Sequence, residues 1–165
     1  MCIRDSHYYL PMLLSHYKML AWVGYQGAVQ YPGVVIPTQS DADKYPQYAS
    51  FHKTTYNADR IMGEMSNAAS DGRNAGLAVH CGEFGCSKNV AEAMRLAWFT
   101  DMVAAMEANN IPWTLWECLD GGFGFVDMEY GIYRINCPLL KVLTGKELTD
   151  AEAKVLLQKY GFKTE

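Results

Sequence analysis

Two short apolar runs, each stopping on a carboxylate, organise this chain. Gly76-Leu77-Ala78-Val79-His80-Cys81-Gly82 leads into Glu83, and Ile111-Pro112-Trp113-Thr114-Leu115-Trp116 leads into Glu117. Runs of this length bounded by turn residues predict buried strands over 76–82 and 111–116. Helical spacing surrounds them. Ile61, Met62, Met65 and Ala69 share one face of a helix predicted over 48–69, which Ser70-Asp71-Gly72-Arg73-Asn74 breaks. Val90, Met94, Ala97, Trp98, Met102, Ala105 and Met106 make a second stripe, with Ser87 as its N-cap and Asn109-Asn110 as its end. The methionines of that stripe read as core packing.

The flanks are less regular. His7 to Leu14 is aromatic and apolar and reads as the end of a strand with its exit. Residues 15–48 are rich in Gly, Pro, Tyr and Gln, which predicts a long, mostly irregular segment, and its aromatics suggest an ordered binding loop. A glycine-rich loop follows at 121–125, then a short helix near 138–143. In the tail, Thr149 with Glu152 three positions on forms a capping signal for a helix carrying Ala153, Leu156, Leu157 and Tyr160, closed by Gly161. The alternation implies βα units and a parallel sheet. Two strands and one strand end cannot close a barrel of eight. The chain is therefore either a small α/β domain or the carboxyl-terminal part of a larger one.

Composition narrows the partners. At 165 residues, half of them apolar, there is material for a core. A net charge of −4 with no Lys/Arg run argues against a nucleic-acid surface, and no apolar stretch is long enough to span a membrane. Residues 1–6, Met1-Cys2-Ile3-Arg4-Asp5-Ser6, have no pattern leading into His7 and resemble the translation of a sequencing-library adaptor, so they are set aside from fold reasoning. The remaining cysteines, Cys81, Cys86, Cys118 and Cys137, read as free and mostly apolar in role, with a disulfide left open. No metal ligand set, phosphate loop or nucleotide fingerprint is present, and no cofactor is expected.

The candidate chemistry lies at the strand ends. Glu83 stands between Gly82 and Phe84-Gly85, where the backbone can turn sharply beside a ligand, and such positions hold the reactive groups of α/β barrels. His7 and Tyr9, one residue apart on extended chain, point to one side. Trp113 and Trp116 differ in parity, so Trp113 is expected to pack on helices. His80 is out of step with Glu83 and reads as a core or helix-facing histidine. Glu117 and Asp120 read as solvated loop acids, with acids that support the site from behind, or acceptors of ligand hydroxyls, as the alternatives.

Taken in order, these stretches resemble the carboxyl-terminal part of glycoside hydrolase family 5, the cellulase-type (β/α)8 barrels. His7-Tyr8-Tyr9-Leu10-Pro11 is similar to the motif ending the sixth strand, and Ser15-His16-Tyr17 with Trp22 to the stretch after it. Gly82-Glu83-Phe84-Gly85 resembles the seventh-strand nucleophile motif. Arg95, Trp98, Asp101 and Glu107 match a spaced pattern on the next helix, and residues 111–117 with Gly122-Phe123-Gly124-Phe125-Val126-Asp127 resemble the eighth strand and its loop. The implied fold is a truncated (β/α)8 TIM barrel, from the end of strand 6 through helix 8. It would occupy residues 7–145, with a helical tail at 146–165.

The resemblance implies a retaining hydrolase of β-linked glucan-type polysaccharide. Glu83 would be the nucleophile, His7 and Tyr9 would line the site, and Trp116 would be the sugar platform. Trp22 and His16 are further candidates for substrate contact. The acid/base glutamate would lie on a strand before His7, so the isolated chain is expected to be inactive, and the parent to be secreted or periplasmic. Two alternatives remain. One is a non-catalytic carbohydrate-binding or assembly fragment using the aromatics of 15–48. The other is an unrelated α/β domain in which 76–82 and 111–116 run antiparallel.

Overall fold

A computed structural model describes residues 3–19, 24–119 and 121–165. The chain begins with β1 (Ile3–Tyr8) and the short α1 (Met12–Ser15). The two-residue β2 (Gly33–Val34) and α2 (Gln39–Lys44) follow, then a 3-10 helix over Pro46–Lys53 and β3 (Thr55–Tyr56). Next come α3 (Ala58–Asn74), β4 (Ala78–Phe84), α4 (Glu92–Ala108) and β5 (Trp113–Leu115). The hairpin β6 (Val126–Glu129) and β7 (Ile132–Ile135), then α5 (Cys137–Thr144) and α6 (Asp150–Lys159), complete the described chain.

The main sheet has the order β1-β4-β5, and both pairs are parallel. That excludes the antiparallel alternative. It is an open arc with no closure. Strand β1 starts at Ile3, so residues 3–6, which showed no pattern of their own, pair with Ala78 to Cys81 of β4.

One face of the arc is covered by helices. Phe84 meets Trp98, Phe99 and Trp113 at ring-centroid distances of 6.3, 5.8 and 5.2 Å. Trp98 is fully buried, and its indole N–H donates to Leu10 O at 3.0 Å, which satisfies the polar edge of a large core ring. The stripe on α4 supplies Met102, Ala105 and Met106 to the same core.

The boundaries differ from expectation in ways that have physical causes. Helix α3 starts at Ala58, where the Asn57 side chain accepts from Arg60 N, and it runs unbroken through 70–74. Gly72 does not break it. A Cβ there would stand 2.4 Å from Val79 Cγ2, so the glycine lets the helix approach β4. Ser87 does not cap α4, whose N-cap position is Ala91. The Ser87 hydroxyl is committed to Tyr17 O at 2.9 Å. In the described part of 15–48, Tyr25, Val29, Tyr31, Val35 and Ile36 are buried in the core. The capping box at Thr149 and Glu152 is present in both directions. The described cysteines are free, with Cys118 exposed just past β5. Among the described residues, no helix is long and apolar enough to cross a membrane.

Candidate active site

The uncovered face of the arc carries the polar groups, and a bulge decides which ones. Register runs Ser6 to Cys81 and then His7 to Glu83, so Gly82 is the extra residue in β4. Before it, Val79 and Cys81 alternate toward the helices. After it, Phe84 takes the helix side, three positions on instead of two. The bulge thereby puts His80 and Glu83 on the same open face, which corrects the expectation that His80 faces the core or helices. A Cβ on Gly82 would stand 2.3 Å from Asp5 Oδ1, so a side chain there would displace the Asp5 carboxylate from its present place.

Glu83 is the centre of this face. The Tyr9 hydroxyl donates to its Oε2 at 2.9 Å, and His7 Nδ1 lies 3.4 Å from the same oxygen. Burial, then the bond to Glu83, raise the Tyr9 phenol well above its ordinary range, so it remains a neutral donor. The Glu117 carboxylate adds to the same effect. Tyr8, facing the other way, donates to Glu64 on α3 and anchors the end of β1 to the helix layer.

His7 Nε2 lies 3.5 Å from Asp5, and Asp5 lies 3.3 Å from His80 Nδ1. His80 Nε2 in turn meets Thr114 Oγ1 at 3.2 Å. A polar row therefore crosses all three strands. Asp5 went unread because residues 1–6 were set aside, and His80 and Thr114 because the bulge that aligns them has no local signature beyond one glycine.

His16 is partly buried. Its ring packs on Tyr9 at 4.9 Å and on Phe123 at 5.2 Å, and Phe123 reaches Tyr9 at 5.9 Å. The Ser15 hydroxyl donates to Tyr9 O, so toward His16 Nδ1, 2.9 Å away, its oxygen can only accept. That places the His16 proton on Nδ1 and leaves Nε2 as the acceptor. Burial lowers the His16 pKa, which favours this neutral form.

Trp116, one residue past β5 and two past Thr114, is 48% exposed. Its backbone N–H is held by Phe84 O at 2.9 Å, and the peptide linking it to Glu117 is cis. Trp113, of opposite parity, packs edge-on against Phe84 on the helix side. Glu117 is not a solvated loop acid, since its Oε1 is buried without a hydrogen-bond partner. Trp22 and Asp120 lie outside the described residues. Tyr25 and Tyr31 of the 15–48 segment are buried, which removes them from any sugar-facing strip. Among the described residues, no group of three or more His, Cys, Asp or Glu could hold a metal ion.

The profile of Cellulase (glycosyl hydrolase family 5) matches residues 5–122. The chain belongs to this family. No curated protein matches the chain. Among solved structures, the Clostridial cellulose synthase subunit Z (CcsZ) from Clostridioides difficile is similar with a TM-score of 0.60 at 20% identity, over 85% of this chain and 40% of that one. An endoglucanase gives a TM-score of 0.63 at 18% identity, over 87% and 40% of the two chains. Thermotoga maritima Cel5A in complex with cellobiose gives 0.56 at 19% identity, over 84% and 38%. The chain thus spans about 40% of the length of these solved relatives. Its fold is a carboxyl-terminal portion of the family 5 (β/α)8 barrel. The tail from 146, outside the matched region, docks on the hairpin through Tyr133 N–H to Lys163 O at 2.8 Å and the Arg134–Glu165 ion pair.

Proposed function

We propose that Glu83 is the nucleophile of a retaining β-glycoside hydrolase, and that this chain supplies the nucleophile half of its site. The observation that carries the reading is the convergence of Tyr9 and His7 on one oxygen of Glu83. Two contacts on Oε2 orient the carboxylate and direct Oε1 at the substrate. Glu83 would attack the anomeric carbon as the bond to the leaving oxygen breaks, forming a glycosyl-enzyme that water then hydrolyses. A second carboxylate about 5–5.5 Å away protonates the leaving oxygen and afterwards activates the water. We place that group on the part of the barrel that the solved relatives have and this chain does not span. The chain alone would therefore fail on substrates whose leaving group needs a proton.

Trp116 offers an exposed indole face on the same side as Glu83, suited to the apolar face of a pyranose. Solved structures of Thermotoga maritima Cel5A contain cellobiose and mannotriose. We take the substrate class to be β-linked glucan-type oligo- or polysaccharide.

An activated substrate tests the nucleophile without the proton donor. A dinitrophenyl β-cellobioside with fluorine in place of its C2 hydroxyl expels a stable phenolate unaided, and its glycosyl-enzyme turns over slowly. Incubation with the full chain should add one fluorocellobiosyl group, mapped to the peptide containing Glu83 and absent in Glu83→Gln. Labelling at another carboxylate, or none at saturating probe, would refute the assignment.

A further inference from the structure

Arg95 is the only charged side chain buried among the described residues. A guanidinium is removed from water at high cost unless its donors are matched. No carboxylate among the described residues lies within ion-pair distance of it. Its guanidinium lies over the Phe99 ring at 5.5 Å, and its hydrogen-bond partners are three backbone carbonyls from two loops. Nε donates to Cys86 O at 2.9 Å, and Nη2 donates to Phe123 O and, at 2.8 Å, to Gly124 O. Cys86 lies in the turn that follows Glu83, and Phe123 and Gly124 lie in the loop after β5. Lys88 adds to the junction, with its N–H on Gly122 O and its ammonium on Val126 O, both at 2.8 Å.

The two loops touch where neither has a side chain to spare. A Cβ on Gly85 would stand 2.2 Å from Trp116 O and 3.0 Å from the Phe123 ring. Phe123 in turn packs on Tyr9 and His16. Contacts therefore run from Arg95 through the loop to the ring beside the phenol that holds Glu83.

We propose that Arg95 is a positioning residue for the Glu83 site: it clamps the 121–125 loop to the turn after β4, seats Phe123 against Tyr9 and His16, and so keeps the Tyr9 hydroxyl on Glu83. The inference rests on the reading of Glu83 and Tyr9 given above. Lysine cannot substitute, because one ammonium on a flexible stem does not span three carbonyls as the planar fork does.

The test reads His16, whose neighbours are the Ser15 hydroxyl and the rings of Tyr9 and Phe123. Histidine titrations of the full chain are followed by NMR. Burial sets the His16 midpoint below the ordinary value of about 6.5. In Arg95→Lys the midpoint should rise toward that value, and NOEs between the Tyr9 and Phe123 rings should weaken. The backbone amide signal of His52, whose Nδ1 sits on Ile36 O at 2.8 Å, should not move. Phe123→Leu should reproduce the His16 shift with Arg95 intact. An unmoved His16 in folded Arg95→Lys, or His16 and His52 moving together, would overturn the clamp. If Arg95→Lys does not fold, an unmoved His16 in Phe123→Leu overturns it. The readout needs no sugar chemistry, so loss of Glu83 labelling with the His16 shift intact would count against the hydrolase reading alone.

Discussion

Tyr9 donates a 2.9 Å hydrogen bond to Glu83 across 74 positions of sequence, joining the exit of β1 to the end of β4. The phenol stays protonated because burial and the carboxylate both oppose its ionisation. A neutral donor on a carboxylate contributes more than a bond between neutral groups, about 1.5–3 kcal/mol. Tyr9→Phe should therefore slow labelling of Glu83 by the fluorinated cellobioside about 10–100-fold, since each factor of ten is about 1.4 kcal/mol. The rate constant at saturating probe is the measurement. A rate equal to that of the unsubstituted chain would show that the bond does not orient the nucleophile.

Much of this site was readable from residue order, and the failures have local causes. Strand alternation and flanking glycines placed His7, Tyr9 and Glu83 at strand ends, and the family resemblance grouped them; in the structure Tyr9 and His7 both meet Glu83 Oε2. His80 was placed on the wrong face because parity assumes a regular strand, and the bulge at Gly82 breaks it. The same limitation hid Gly72 and Ser87. A glycine in a helix and a serine before one look like a breaker and a cap, yet the first makes room for Val79 and the second holds Tyr17 O. The β6–β7 hairpin went unseen because its turn, with positive φ at both Tyr130 and Gly131, starts with a tyrosine and not the usual Asn or Asp.

Two glycines of α3 should respond oppositely to alanine. Gly63 is exposed, and a Cβ placed on it would meet nothing within 4 Å, so Gly63→Ala should stabilise by about 0.5–1 kcal/mol through lost unfolded-chain freedom. Gly72 is buried against Val79 and Leu77 O, and Gly72→Ala should cost about 1–3 kcal/mol through overpacking. Urea unfolding of the two variants checks this, and shifts of the same sign would contradict the packing described for α3 on β4.

Stability should fall on the alkaline side. Burial pushes the Cys86 thiol up to about 12 and the Cys81 thiol up to about 11, from an ordinary value of 9.0. Tyr8 and Tyr31 are raised above their ordinary range by burial and by their bonds to Glu64 and Asp101. A folded pKa above the unfolded one means the native state holds its proton more tightly. The associated stability is complete below about pH 9 and drains away as pH rises through 11–12. Denaturation midpoints should be level between pH 7 and 8.5 and lower at 10.5, with a smaller drop in Cys86→Ala. A midpoint that does not change up to 10.5 would contradict the burial of these groups.

Trp116 separates binding from chemistry. The residue is 48% exposed, while its backbone is fixed by Phe84 O and by the tight approach of Gly85 to its carbonyl. The residue just past β5 thus presents an indole to solvent from a fixed backbone, a surface on which a sugar ring can stack. Stacking on a sugar persists through both ground and transition states, so its removal should weaken binding more than it slows the bond-making step. Trp116→Ala should raise the probe concentration for half-maximal labelling about 10-fold, roughly 1.4 kcal/mol, and leave the saturated rate within about twofold. Trp116→Phe should fall between, because a smaller ring keeps part of the contact. If the saturated rate drops while the half-maximal concentration holds, Trp116 acts on the geometry around Glu83, and the platform role is wrong.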